Sequence, residues 1–285
     1  MKNDEFYIGW MPKAPNSFIG WIKKYLFVLL TIIIVLTVLL ALSQKKFDSG
    51  TFEFGTLTEV KGIYFDKPVP NIKVINGKNI WGNYNCITVL LIGYGKHGAD
   101  GIIADLEKEK NTTLDGKEVT LKGTLLYNDG KLLMQIDAND KPLLNVVTNK
   151  GSANLLPEIK DLGTINVKGE IVDPKFFFGV MKPGEGKPHK DCAIRCILGG
   201  MPPVLKVIDA EGKQNYYLVV GANGEKMNEA VQDFVATPVE VNAKAVQYDD
   251  WIVLYVNKKN IQHISRTEFF QPPGGIIACA VQNCK

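Results

Sequence analysis

The stretch Val119-Thr120-Leu121-Lys122-Gly123-Thr124-Leu125-Leu126-Tyr127-Asn128-Asp129-Gly130-Lys131-Leu132-Leu133-Met134-Gln135-Ile136-Asp137 decides the fold class. Val119, Leu121 and Leu125 stand at strand spacing, and Asn128-Asp129-Gly130 is a hairpin signal between two apolar runs. The stretch lies without gaps on Val239-Glu240-Val241-Asn242-Ala243-Lys244-Ala245-Val246-Gln247-Tyr248-Asp249-Asp250-Trp251-Ile252-Val253-Leu254-Tyr255-Val256-Asn257. Gly55-Thr56-Leu57-Thr58-Glu59-Val60-Lys61 in turn echoes Gly169-Glu170-Ile171-Val172-Asp173-Pro174-Lys175. A period of about 120 residues is that of a duplicated domain, not of a solenoid.

Outward from these stretches the texture stays β. Phe52-x-Phe54-x-x-Leu57 has strand-like spacing, and Asp209-Ala210-Glu211-Gly212 is a turn signal between Val204–Val207 and Tyr216–Val220. The expected class is mainly β: one N-terminal transmembrane helix, then two tandem small β-barrels of the OB-like, Greek-key type. The expected first barrel spans 50–148 and the second 164–265, with Asn149–Gly163 as linker and 266–285 as an apolar C-terminal tail. Met227–Val235 has the pattern of a short amphipathic helix, ended before Thr237-Pro238.

Tyr25–Leu42 is almost uninterrupted apolar sequence, flanked by Lys23-Lys24 and Lys45-Lys46. Eighteen residues rise about 27 Å as a helix, enough for a hydrocarbon core. The sequence predicts a transmembrane helix at 25–43 behind a cytoplasmic head at 1–24, with the β domains exoplasmic. The competing reading is a signal peptide, with Ala41-Leu42-Ser43 as its cleavage site. The long head and long apolar run favour a retained anchor in a bacterial inner membrane. The head carries Phe6-Tyr7, Trp10, Trp21 and two prolines. Such residues suit the membrane interface, or a docking contact with another subunit.

The densest chemistry lies in Pro188-His189-Lys190-Asp191-Cys192-Ala193-Ile194-Arg195-Cys196-Ile197-Leu198-Gly199-Gly200. Pro188 blocks helix before it, and Gly199-Gly200 with Pro202-Pro203 stops helix after it. A helix over Lys190–Leu198 puts Cys192 and Cys196 on one face, with His189 three residues before Cys192. Their Cβ atoms then stand roughly 5–6 Å apart, too wide for an undistorted disulfide. His189, Cys192 and Cys196 are thus the candidate ligands for a transition metal or other cofactor. The competing reading makes the cysteines small core residues and leaves His189 on the surface.

A second candidate is the loop Gly93–Gly101 after the apolar run Ile87–Ile92. Gly95, Lys96, His97 and Gly98 suit an anion or small-ligand loop, because glycines let backbone N–H groups approach an anion. It is neither a dinucleotide fingerprint nor a P-loop, and a flexible hairpin tip explains it as well. Were it to face the Lys182–Lys187 loop, His97 and His189 would share one cleft.

Other function classes are excluded or weakened. Net charge is +3, and no basic run interleaved with aromatics appears, so nucleic acid is not an expected partner. No G-x-S-x-G is present, and a His189–Cys192 pair on one helix is too constrained for a triad with an oxyanion hole. The five cysteines include no C-x-x-C; Cys86 reads as a strand position, and Cys279 and Cys284 close the tail. His263 reads as structural.

Gly169-Glu170-Ile171-Val172-Asp173, Gly184-x-Gly186-Lys187 and His189-x-x-Cys192-Ala193-x-x-Cys196-Ile197-x-Gly199-Gly200-x-Pro202-Pro203-Val204-Leu205 together resemble a family of uncharacterised bacterial exported or membrane-anchored β-domain proteins. The resemblance covers about residues 165–265. That family's pattern places another cysteine shortly after the Val-Asp pair. Lys175-Phe176-Phe177-Phe178 stands there in this chain, so a three-cysteine site is incomplete. The resemblance implies a small β domain and no particular reaction. The expected function is therefore a non-catalytic, single-span accessory subunit of a bacterial membrane complex, respiratory or otherwise redox-linked. Its partners are the bilayer and other subunits. The alternative is a metal- or cofactor-binding protein that uses His189, Cys192 and Cys196.

Overall fold

The computed structural model describes residues 15–44, 50–78, 84–137, 141–150, 156–181, 183–209 and 211–269. Two compact units result, residues 1–47 and residues 48–285.

The first unit is helix α1, Asn16–Ser43, which begins after Pro15. Its segment Phe18–Ser43 is long and apolar enough to cross a membrane, and none of it is buried in the protein; signal sequences share these features. The polar interruptions are satisfied within the helix: Thr31 Oγ1 donates to Phe27 O at 2.9 Å and Thr37 Oγ1 to Ile33 O at 2.8 Å. The helix starts nine residues earlier than the expected span at 25. Hydropathy reports where lysines interrupt the apolar run, whereas the backbone stays helical through Lys23-Lys24. The head aromatics before residue 15, and Cys279 and Cys284, lie outside the described residues.

The second unit is mainly β. Its first sheet contains β1 (Thr51–Phe52), β2 (Thr58–Phe65), β3 (Asn71–Lys78), β4 (Tyr84–Ile92), β5 (Lys117–Asn128), β6 (Lys131–Ile136) and β7 (Leu143–Lys150). Pairings run β2-β3-β4-β6-β5 and return to β2, which closes a five-stranded barrel. All these ladders are antiparallel except β4–β6. Helix α2, Asp100–Lys110, connects β4 to β5 and buries Ile103 and Leu106.

The second sheet contains β8 (Ile159–Val172), β9 (Val204–Ile208), β10 (Gln214–Gly221), β11 (Pro238–Tyr248), β12 (Trp251–Val256) and β13 (Ile261–His263). Its order repeats the first: β8-β9-β10-β12-β11, with β11 pairing both β12 and β8 and only β10–β12 parallel. The registers match the repeat as well. Leu125 faces Met134 and Leu132 faces Val89; Ala245 faces Leu254 and Ile252 faces Tyr217.

Three differences from the sequence expectation have physical causes. Gly62, not Gly55, is the counterpart of Gly169, since Gly62 faces Val119 and Gly169 faces Val239. Both glycines admit a neighbouring strand: a Cβ would stand 2.4 Å from Lys73 O at Gly62 and 2.6 Å from Lys206 O at Gly169. Second, β8 starts at Ile159, inside the expected linker, because it continues pairing with β11 as far as Tyr248. Third, the 227–235 segment makes one turn, with Val231 N–H donating to Met227 O, and then a 3-10 turn at Gln232–Phe234 instead of an α-helix. Its buried residues Met227, Val231 and Val235 belong to the second sheet's core. Tertiary burial explains that spacing without helix.

Alternating residues of the strands fill three apolar clusters. One lies inside the first barrel around Tyr64, Leu121 and Met134, and one against the second sheet around Ile171, Val239 and Leu254. The third joins the two, bringing Leu90, Ile92, Leu126 and Leu133 against Val172, Phe178, Leu218 and Trp251.

Candidate functional site

Strand β8 gives way to Asp173, which organises the turn beyond it. Asp173 Oδ1 accepts the Phe176 N–H at 2.9 Å and its carbonyl accepts the Phe177 N–H at 3.2 Å. These bonds start a π-helical turn, Phe176–Val180, that buries Phe177 and Phe178. The chain returns through a 3-10 turn, Lys187–His189, into helix α3, Lys190–Leu198. The bounds of α3 are those the sequence predicts. Its end is tied down by Gly199 N–H to Arg195 O at 3.0 Å and Met201 N–H to Cys196 O at 3.1 Å.

His189 is buried, at 1% exposure, and its Nε2 lies 2.9 Å from Asp173 Oδ2. The Phe176 ring packs 5.5 Å away, and the buried Nδ1 has no hydrogen-bond partner. The surface placement of His189 is thereby corrected: a carboxylate at the end of a core strand supplies the partner that lets the imidazole go inside. Cys192 is half-buried and Cys196 fully buried, both as free thiols. Burial, then Asp173 and Cys192, push the Cys196 thiol above its ordinary range. Among the described residues, no group of three or more His, Cys, Asp or Glu side chains stands close enough to hold a metal ion.

Lys175, buried in the same turn, is not among the expected site residues. Its Nζ donates to Gly95 O at 2.7 Å and to Gly93 O at 3.3 Å. Burial pushes its pKa down to about 8, against the smaller opposing pull of Cys196 and Asp173. The signal for both residues is local: Asp173 and Lys175 interrupt an apolar stretch running from Ile171 to Phe178.

The glycine loop therefore meets a cation with its carbonyls. Three of its amides are already bonded within the protein: Gly93 N–H donates to His97 O at 2.9 Å, His97 N–H to Tyr94 O at 3.3 Å, and Gly98 N–H to Gly199 O at 2.9 Å. Of the expected ligand loop, Gly95 faces Lys175, Gly98 abuts the end of α3, and His97 is exposed in a cleft of about 810 Å³. Neither Lys96 nor His189 lines that cleft, so the two histidines do not share it. The cleft is bordered by Asp100, Asp105, Lys226 and Glu229, with Lys226 Nζ 2.8 Å from Asp100 Oδ1. Carboxylates outnumber the lysine there, which disfavours an anion. The Gly184–Lys187 loop turns into its own sheet, where Gly186 N–H donates to Glu170 Oε1 at 2.5 Å. His263, on β13, is exposed, and its ring lies 4.9 Å from the Phe234 ring.

The most elaborate polar contacts lie where the first barrel meets the second sheet. The β11–β12 hairpin tip reaches the barrel: Lys73 Nζ lies 2.7 Å from Asp249 Oδ1, and Thr88 N–H donates to Asp250 Oδ1 at 3.0 Å. Lys131 donates to Asp250 O and lies 5.0 Å over the Trp251 ring. Reciprocally, the β5–β6 tip reaches the second sheet, where Tyr216 OH donates to Asp129 Oδ2 at 3.0 Å.

No protein-family model and no curated protein matches the chain. The geometry alone carries the functional reading.

Proposed function

We propose that the chain is a membrane-anchored, non-catalytic accessory subunit of a bacterial membrane complex, with two OB-like barrels fused into one exoplasmic protein-binding module. One observation carries this reading: each barrel-like half spends its binding elements on the other. In OB-type barrels the second and third strands and the loop between the fourth and fifth strands take the ligand. Lys73 on β3 and Thr88 on β4 are occupied by Asp249 and Asp250 of the opposite hairpin. Tyr216 on β10 is occupied by Asp129. Groups committed to each other in this way are not free for an oligonucleotide, and they favour a rigid module whose outer faces meet protein. The long apolar helix is consistent with a membrane anchor, and Lys2, Lys13, Lys23 and Lys24 ahead of the apolar run favour an N-terminus inside.

The test is extraction of the full chain from membranes in mild detergent, with native mass analysis and metal quantification of the product. A fixed set of co-purifying membrane subunits with no stoichiometric metal is the expected result. A solitary, metal-free protein would overturn it.

The second reading, a metal or cofactor site at His189, Cys192 and Cys196, has one observation in its favour, the unpartnered buried Nδ1 of His189, although the three side chains do not stand close enough together to hold a metal ion as they are placed. A carboxylate on one ring nitrogen is the usual orientation of a metal-ligating histidine. One equivalent of metal lost in Cys192→Ser would establish this reading in place of the first.

A further inference from the structure

Building on the protein-binding reading proposed above, on which this step rests, we infer that the groove between the two β halves is a docking site for an extended basic segment of a partner protein.

Two clefts make up the groove. The first, of about 810 Å³, has the glycine loop and the start of α2 as one wall, and the end of α3 with residues 226–229 as the other. The second, of about 270 Å³, is bordered by Pro68, Val69, Pro202 and Pro203. Asp100, Gly200, Lys226 and Asn228 line both, so the two are continuous. At the floor the backbones of the two halves meet. Gly98 N–H donates to Gly199 O at 2.9 Å, and neither residue has a Cβ to fill the space. Each wall comes from a different half, so the groove exists only in the assembled β unit.

Charge decides the sign of the occupant. In the first cleft Lys226 is spent on Asp100, 2.8 Å away. Asp105 on one wall and Glu229 on the other are exposed, and among the described residues neither carboxylate has a hydrogen-bond or ion-pair partner. In the second cleft Asp66, Asp100 and Glu225 stand against Lys67 and Lys226. Both clefts are therefore net acidic, which attracts cations and repels anions.

The apolar surfaces decide between a peptide and a small polyamine. Tyr94 is 61% exposed and Leu198 45% exposed at the first cleft, and prolines and valines wall the second. A lysine or arginine side chain fits between the carboxylates, against the tyrosine face. An apolar side chain further along the same segment then fills the proline-lined cleft, as anchor residues of protein partners do. A polyamine has no side chain to place there.

The test uses the full chain in a nonionic detergent and two fluorescein-labelled peptides, Lys-Leu-Pro-Lys-Val-Lys and its analogue with glutamate at each lysine, read by fluorescence anisotropy. The lysine peptide is expected to bind at least about tenfold more tightly, and Asp105→Asn with Glu229→Gln to weaken it by about tenfold. Glu59→Gln with Glu211→Gln makes the same charge change at exposed sites off the groove and should leave binding unchanged. No preference for the lysine peptide, or an equal loss in the two double variants, would overturn the docking site. Spermidine binding as tightly as the lysine peptide would also overturn it, since charge alone would then be recognised. A chain that brings down membrane subunits yet does not prefer the lysine peptide would remove the groove and leave the accessory-subunit reading standing. A chain that extracts alone yet binds the lysine peptide through Asp105 and Glu229 would uphold the groove and remove that reading.

Discussion

Lys73 and Asp249, 176 residues apart in sequence, form an ion pair of 2.7 Å with side chains only 6% and 7% exposed. Lys73 Nζ also donates to Leu156 O at 2.9 Å, and Asp249 Oδ1 accepts the Glu158 N–H at 2.9 Å. The pair is the polar centre of the contact between the first barrel and the second sheet.

Removing one member leaves a buried charge uncompensated. Asp249→Asn keeps a residue that tolerates the observed φ of 52°. It is expected to lose about 3 kcal/mol. Adding Lys73→Met to that variant should recover part of the loss. Denaturant unfolding of the four proteins measures the coupling, and strictly additive losses would count against a buried, interacting pair.

Gly98 and Gly101 are expected to respond oppositely to alanine. A Cβ at Gly98 would stand 2.1 Å from Gly200 O, whereas nothing lies within 4 Å of one at Gly101. Gly98→Ala should cost about 3 kcal/mol, as for other overpacked sites. Gly101→Ala, in the first turn of α2, should gain up to about 1 kcal/mol. Melting temperatures of the two variants decide the matter.

Lys175 ties stability to alkaline pH. Its folded pKa is pushed down from 10.5 to about 8, chiefly by burial. Between those values the unfolded chain holds the proton more tightly, so stability rises with pH across that window. Below it Lys175 is charged in both states and contributes no slope. Unfolding midpoints from pH 7 to 10.5 should show this rise in the native sequence relative to Lys175→Met. An identical slope in both would show that Lys175 keeps an ordinary pKa in the fold.

Asp173 is expected to matter through His189 and the turn at Phe176. Asp173→Ala strips His189 Nε2 of its partner and frees the Phe176 N–H, costing about 1–3 kcal/mol for each buried polar group left unpaired. Asp173→Asn can still accept from Phe176 and should lose less. Equal losses in the two variants, read from denaturant unfolding, would contradict this division.

The two thiols of α3 should differ in reactivity. Cys196 is fully buried and held protonated, while Cys192 is half-buried. Iodoacetamide is expected to modify Cys196 at least about tenfold more slowly than Cys192 in the folded protein. Mass spectrometry of timed digests gives both rates, and similar rates would argue against the burial of Cys196.

The candidate site was only partly legible in the residues. Helix α3 was legible because Pro188 and Gly199-Gly200 punctuate it locally. The fate of His189 was not, because its partner Asp173 is brought to it by the turn through Phe176–Val180. The glycine loop invited an anion by composition. The Gly93 and His97 amides instead close a turn, and the Gly93 and Gly95 carbonyls hold Lys175, the latter contact spanning 80 residues of sequence.

What the sequence by itself determined is whatever a local period or a local breaker encodes. The apolar run of α1, the hairpins at Asn128–Lys131 and Tyr248–Trp251, and the repeat that relates them all arise from patterns within a few residues. Tertiary structure alone decided the closure of the strands, the equivalence of Gly62 with Gly169, and the burial of Lys73 against Asp249 and of His189 against Asp173. Those outcomes depend on which distant backbones approach and which charges lose their water together, and no local period records either.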